Sequence, residues 1–419
     1  MSLTVTGATL DGEPVGLRSV DGVITALGAD VGAEPGDDLL DGAGCALVPG
    51  LVNGHTHAAM TLFRGYGSDL PLMEWLEAHI WPKEALLTDD DVYWGTRLAC
   101  LEMIRSGTVR FWDMYWRPNA VARAVESAGM RATVGLPLID GLDPARGRAL
   151  RADALRSLDE LADVGPRVGA SLAPHGFYTV SDESLRWIAE QAAERTLPIH
   201  IHFLEIEDEV TGLLERTGEA PGPYLDRLGL LTPRTLLAHA VWMGEEDLDI
   251  VAERGAVVVT NPVSNMKLAV GRVFPYEAVR TRGIPVGLGT DGASTNNSLD
   301  LLADMKVFAL LQKHDRDDPA AVPADEAWAI ATGARAPALG QSGRVAVGEP
   351  ADFLLVRLDA PEMSPGHLVP NLVYAASGSV VDATVVDGRV LMRDRRVDDE
   401  EEIRAKANEA ARRLGVLDD

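Results

Sequence analysis

Between Gly44 and Gly292 the chain repeats one pattern eight times, a short β-branched or apolar run followed by an amphipathic segment of helical length. The runs are "CALVPGLVNG", "TVRFWDM", "RATVGLPLI", "RVGASLAP", "LPIHIHF", "TLLAHA", "AVVVTNP" and "IPVGLGT". Parallel neighbours need a crossover between them, and the intervening segments are long enough to be the helices that make it. Eight such units predict a (β/α)8 barrel. A doubly wound open sheet is the alternative, but no G-x-G-x-x-G follows the first run to support a dinucleotide there.

Helix ends can be placed from local chemistry. Thr88 followed by Asp89, Asp90 and Asp91 suits an N-terminus, where acidic groups meet unpaired N–H donors, and Gly107 suits the stop. Ser181 with Asp182 and Glu183 opens another helix. Residues 3–46 and 345–395 differ in kind, showing alternation and "DG" turns at 11–12, 21–22 and 387–388. Neither flank can bury a core alone, so the two are expected to pair as one small antiparallel β-sandwich domain, residues 1–50 plus 345–419, beside a barrel of residues 51–344. The tail "DDEEEIRAKANEAARRLGVLDD" reads as a terminal helix with an acidic start and basic later turns.

Composition narrows the functional class. The 419 residues carry 64 acidic against 38 basic side chains, a net charge of -26, which repels nucleic acid and anionic lipid. No apolar stretch suits a membrane span and the N-terminus has no signal-like core, so a cytoplasmic protein without membrane or nucleic-acid partners is expected. Cys45 and Cys100 form no disulfide framework or Cys-x-x-Cys pair and are expected as buried small hydrophobes. Lysine is confined to Lys83, Lys267, Lys306, Lys313 and Lys406, an arginine-dominated, acid-rich balance that suggests a high-salt cytoplasm.

Active sites of such barrels lie at the C-terminal ends of the strands, and the reactive residues gather there. His55 and His57 follow the first strand, Asp113 ends the second, His175 follows the fourth, and His200 and His202 lie late in the fifth. His239 ends the sixth, Asn261 the seventh, and Asp291 follows the eighth. Of nine histidines only His79, His314 and His367 fall elsewhere. In an extended segment residues i and i+2 face the same way, so His55 and His57 can reach one ion. Imidazoles with a carboxylate suit zinc, or ferrous iron, better than magnesium.

These residues give the chain its likeness to a family. With "PGLVNGHTH", "MTLFRGYGSDLPLMEWL", "APHGFYTVS", "IHFLE", "LAHAVWM", "NPVSNMKL" and "GTDGASTNNSLDLL", it resembles the amidohydrolase superfamily, and within it the 5'-methylthioadenosine/S-adenosylhomocysteine deaminases and their chlorohydrolase cousins. The resemblance implies metal ligands at His55, His57, His202 and Asp291, His202 being chosen over His200 because Glu205 stands three residues after it. It also implies that Asp291 doubles as the base, that Glu205 shuttles a proton and that His239 polarises the transition state. Binuclear relatives bridge their ions with a carboxylated lysine on a middle strand; between Glu84 and Met266 there is none, so one divalent ion is expected, zinc before iron.

The implied reaction is hydrolytic deamination at C6 of an adenosine-type nucleoside. Substrate contacts carry over onto Glu84 (ribose hydroxyls), His175 (purine), Arg148 and Trp75. One departure stands out: the arginine that follows "GMRATVG" in several relatives is here Leu136. Lacking that partner for a zwitterionic tail, 5'-methylthioadenosine, 5'-deoxyadenosine and adenosine rank above S-adenosylhomocysteine. Triazine hydrolysis, or guanine or cytosine deamination, is the alternative on the same scaffold, and an inactive metal-binding scaffold is the non-enzymatic one. The cytidine-deaminase pattern of His-x-Glu with Pro-Cys-x-x-Cys is absent. The resemblance further implies a homo-oligomer.

Overall fold

The computed structural model describes residues 1–70 and 72–417; Pro71, within the quoted 60–76 stretch, and Asp418 and Asp419 of the tail lie outside them. Eight parallel strands follow one another in sequence order around a barrel: β6 (Leu51–Thr56), β7 (Thr108–Asp113), β8 (Arg131–Leu138), β9 (Val168–Pro174), β10 (Ile199–Phe203), β11 (Thr235–His239), β12 (Val257–Thr260) and β13 (Val286–Leu288). In this order β1 to β5 precede them and β14 to β16 follow. The last strand meets the first through Asp291 N–H to the His55 carbonyl (3.0 Å) and Thr290 N–H to Asn53 Oδ1 (3.1 Å).

The first predicted run is divided between two sheets. Its front half, β5 (Cys45–Pro49), pairs antiparallel with β14 (Phe353–Arg357), while the part after Gly50 is β6 of the barrel. The small sheet also holds β1 (Ser2–Leu10), β2 (Glu13–Val20), β3 (Val23–Gly28), β4 (Asp38–Asp41), β15 (Val381–Val386) and β16 (Arg389–Met392). It is one continuous mixed sheet rather than the antiparallel one expected, because β1 runs parallel to both β4 and β5. After the β1–β3 meander the chain crosses back before β4, so β4 enters beside β1 in the same direction. Leu3, Val5, Leu17, Phe353, Leu355 and Val385 form its own core.

The predicted helix ends are in place. Thr88 and Asp91 form a reciprocal capping box before Asp89–Ser106, and Gly107 ends that helix at φ 91°, a left-handed geometry that costs glycine little. Ser181 caps Asp182–Arg195. The terminal helix Glu400–Arg413 packs on Asp89–Ser106, with Ala407, Ala410 and Leu414 in the barrel's core cluster. Its Arg413 pairs with Asp91, and Arg105 of the barrel pairs with Glu400. Both cysteines are free and buried. Among the described residues no helix is long and apolar enough to cross a membrane.

Beneath the C-terminal rim, Val52, Trp112, Leu236, Ala238, Val257 and Val259 fill the barrel axis. Each fully buried valine or leucine contributes about 1.5–3 kcal/mol. This packed layer holds the strand ends in register, with His202 opposite Ala238 and Phe203 opposite His239.

Candidate active site

Three imidazoles and one carboxylate converge at the rim. His57 Nε2 is 3.3 Å from His202 Nε2 and 3.2 Å from Asp291 Oδ1, and His55 Nε2 is 3.4 Å from the same oxygen. The backs of the rings decide which nitrogens carry hydrogen. His57 Nδ1 bonds the Met114 carbonyl and His202 Nδ1 the His175 carbonyl; a carbonyl only accepts, so each Nδ1 holds the hydrogen and each Nε2 presents a lone pair. His55 Nδ1 lies 2.8 Å from His200 Nε2, which places His200 behind the cluster rather than in it. Ser264 and Thr295 donate their hydroxyls to Asp291 Oδ2 at 2.6 and 2.8 Å, leaving Oδ1 turned toward the rings.

The result is an inward-facing set of acceptors. His55 Nε2 and Asp291 Oδ1 are buried without a hydrogen-bond partner. Buried lone pairs at this spacing repel one another unless a positive charge stands among them. The electrostatics of His57 point the same way: burial opposes its protonation, yet the adjacent Asp291 carboxylate outweighs that and raises its pKa to about 9. The donor set, three imidazole nitrogens and a carboxylate oxygen, fits a single divalent cation of the zinc type, with the contacts behind the rings to His200, the Met114 carbonyl and the His175 carbonyl fixing each one. His55, His57 and His202 form one potential metal group, and His55, His239 and Asp291 another.

Backbone geometry explains why these side chains aim inward. His239 (φ 73°), Ala240 (φ 52°), Asp291 (φ 60°) and Leu204 (φ 55°), just before Glu205, all adopt left-handed conformations. Non-glycine residues rarely do so outside sites where surrounding structure enforces it. Each lies at or just past a strand end, where the turn swings the next side chain over the rim. Gly289 of "GTDG" is required by close approach: a Cβ there would lie 2.3 Å from Asn261 Oδ1 and 2.9 Å from the His55 backbone nitrogen.

One cavity collects most of the predicted residues. His57, His175, His202, Glu205, His239 and Asp291 line it together with Glu84 and Trp75. Glu205 is buried, and burial raises its pKa above the usual carboxylate range; its Oε1 is 3.7 Å from His239 Nδ1. His239 Nδ1 is held 2.8 Å from Asn265 Oδ1. Across the cavity, Trp116 Nε1 donates to Glu84 at 3.1 Å, and burial raises the Glu84 pKa as well. Trp75 is buried in the wall, and His175 bonds Thr179 at 3.0 Å.

Arg148 is not brought to this cavity. It sits on the exposed side of the helix Pro144–Leu161, while Leu136 is buried in the barrel core. Among the described residues no lysine or arginine lines the cavity. Asp113 is at the rim but serves the backbone, accepting Ala58 N–H at 2.7 Å, and burial pushes its pKa up to about 7. Asn265, Ser264 and Thr295 were missed from sequence. Their signal was polar residues inside "NPVSNMKL" and "GTDGAST", beside a strand end.

Comparison with known proteins agrees with this geometry. The model of the Amidohydrolase family matches residues 46–391. The chain belongs to the amidohydrolase family. This family member is 47% identical over 379 residues to a 5'-deoxyadenosine deaminase of Methanoregula boonei, covering 90% of this chain and 86% of the relative. It is 44% identical to 5-methylthioadenosine/S-adenosylhomocysteine deaminase 1 of Archaeoglobus fulgidus, covering 91% of each. Among solved structures, an adenosine deaminase from Xanthomonas campestris with bound zinc superposes with a TM-score of 0.92 at 33% identity over 99% of both chains.

Proposed function

We propose that this amidohydrolase is a metal-dependent deaminase that converts the 6-amino group of an adenosine-type nucleoside to a 6-oxo group with release of ammonia. The observation that carries the reading is the convergence of three imidazole lone pairs and Asp291 on one point of a cavity that also holds Glu205. His55, His57, His202 and Asp291 would hold one divalent ion, zinc by donor chemistry. Such an ion, when bound, lowers the pKa of a coordinated water to about 7.

Asp291 takes a proton from the attacking water as its oxygen bonds C6. Glu205, whose pKa is raised by burial, delivers a proton to N1 of the ring, so the C6–N1 double-bond electrons settle on nitrogen. His239, anchored to Asn265, hydrogen-bonds the oxygen as the carbon becomes tetrahedral. Asp291 then passes its proton to the amino group and the C6–N bond breaks. Ammonia leaves, the hydroxyl proton returns to Glu205, and the 6-oxo purine remains with hydrogen on N1.

Glu84, steadied by Trp116, accepts the ribose hydroxyls, His175 meets the purine and Trp75 walls the pocket. With Leu136 buried and Arg148 outside the cavity, no guanidinium among the described residues lines it for an amino-acid tail, which favours 5'-deoxyadenosine, 5'-methylthioadenosine and adenosine over S-adenosylhomocysteine. The proposed division is a small domain of residues 1–50 with 345–419 and a catalytic barrel of 51–344, the terminal helix of the former packing into the barrel's core cluster. The acidic surface suits a salt-rich cytoplasm, and a melting temperature that rises between low and molar KCl is the corresponding expectation. The deciding experiment is ammonia release and metal analysis on purified protein with these nucleosides, S-adenosylhomocysteine, atrazine, guanine and cytosine. Turnover confined to the triazine or the free bases would replace this reading.

A further inference from the structure

Glu205 has a catalytic assignment but nothing in its own side chain to hold it. Among the described residues its carboxylate makes no hydrogen bond, the His239 Nδ1 lying 3.7 Å away. Its position is therefore set by the backbone that carries it, and that backbone is bound by an unassigned acid. Glu209, at the third position of the helix Glu207–Thr217, is buried. One of its oxygens accepts Leu204 N–H at 3.0 Å, and the other accepts Glu205 N–H at 2.8 Å and Ile206 N–H at 3.3 Å.

A helix-start box accounts for only one of these bonds, the one from Ile206 at the N-cap. The other two reach back past the helix. They hold Leu204 at φ 55°, a conformation a leucine leaves when nothing retains it. On its other side the Leu204 carbonyl accepts N–H from Val241 and Trp242, both at 2.9 Å, tying the turn to the loop that follows His239. The segment 204–206 is thus clamped between Glu209 and the His239 loop, and Glu205 is its middle residue.

We propose that Glu209 is the positioning residue for Glu205, acting through three consecutive backbone N–H bonds to hold the proton-donating carboxyl over the ring nitrogen of the substrate. This rests on the reading of Glu205 given above. A positioning acid of this kind does not touch substrate. Its loss displaces the donor without removing it.

The test is a double-mutant cycle on the metal-loaded enzyme with 5'-deoxyadenosine, comparing wild type, Glu209→Gln, Glu205→Gln and the double variant. Glu209→Gln is expected to lower kcat roughly 10- to 100-fold, the cost of a small displacement of a reacting group, with KM within about twofold and metal content unchanged. In the Glu205→Gln background the same substitution is expected to change kcat by less than about twofold, because the group it positions has lost its proton. Multiplicative effects of the two changes would overturn the proposal and leave Glu209 a helix cap. If Glu205→Gln alone leaves kcat unchanged, the assignment of Glu205 fails first and is seen to fail separately. Should Glu209→Gln not fold, the cycle run with Glu209→Asp decides by the same criterion.

Discussion

The Nε2 atoms of His57 and His202 stand 3.3 Å apart, each on a ring whose Nδ1 hydrogen is committed to a backbone carbonyl. Two lone pairs so placed, with Asp291 Oδ1 beside them, store repulsion that a cation removes. Extracting the metal with a chelator is therefore expected to abolish deamination and lower the melting temperature, with zinc restoring both. A ligand at 100 times its dissociation constant adds about 2.7 kcal/mol of stability, so the shift is readable by calorimetry. Because each ligand nitrogen must be unprotonated and the metal-free His57 is raised to about 9, metal affinity is expected to fall already as pH drops below about 9. Unchanged melting after quantitative metal removal would contradict this account of the site.

Glu205 is assigned the proton that reaches the ring nitrogen, and burial keeps its pKa raised. Glu205→Gln preserves shape and removes the acid. It is expected to lower kcat about 10²- to 10⁴-fold, the usual worth of a positioned acid, while metal content stays at the wild-type level. Atomic absorption on the protein used for kinetics separates the two effects.

The ribose contact proposed for Glu84 is supported from a distance by one of the chain's few lysines. Lys83 Nζ donates to the Leu414 carbonyl at 2.7 Å, at the end of the helix Glu400–Arg413, where a helix dipole favours a cation. Glu84 is the next residue, so this bond fixes the short helix that presents the carboxylate. Lys83→Met is expected to raise KM for nucleosides about two- to fivefold, matching the ~0.4–1 kcal/mol of such a contact, with kcat within twofold. A fall in kcat at constant KM would place the effect elsewhere.

How much of this was legible in sequence depended on range. The barrel was readable because periodicity is local, and so were the caps at Thr88, Gly107 and Ser181. The cluster was readable because residues spaced along separate runs share a rim once the runs are parallel. The division of "CALVPGLVNG" between two sheets was not, since one apolar run looks the same whether it serves one sheet or two. Likewise the parallel pairing of β1 with β4 is set by where the loop returns, which no local pattern records. Glu209 hid among Glu207 and Asp208 as an ordinary acidic helix start; its reach to Leu204 exists only in three dimensions. Arg148 was placed by resemblance alone, and the helix that bears it turns it to solvent.

The small domain carries its own pH response. Asp37 lies almost wholly covered, its side chain 1% exposed, and accepts bonds from Arg18 (2.9 and 3.1 Å), Thr4 Oγ1 (2.7 Å) and Glu34 N–H (3.0 Å). The Arg18 bond, then the others, hold its pKa well below the usual carboxylate range. A depressed folded-state pKa means the stabilisation is fully present above the unfolded value, about 3.9, and is lost as pH falls through the folded value. Asp37→Asn removes the charge at every pH. Its melting temperature is accordingly expected to lie below wild type at pH 6–7, with the gap narrowing steadily as the pH is taken below about 4, because the unfolded wild-type chain then takes up a proton at Asp37 that the folded one still refuses. A gap that stays constant down to pH 2 would mean that the carboxylate's charge is not what joins the crossover after β3 to the sheet.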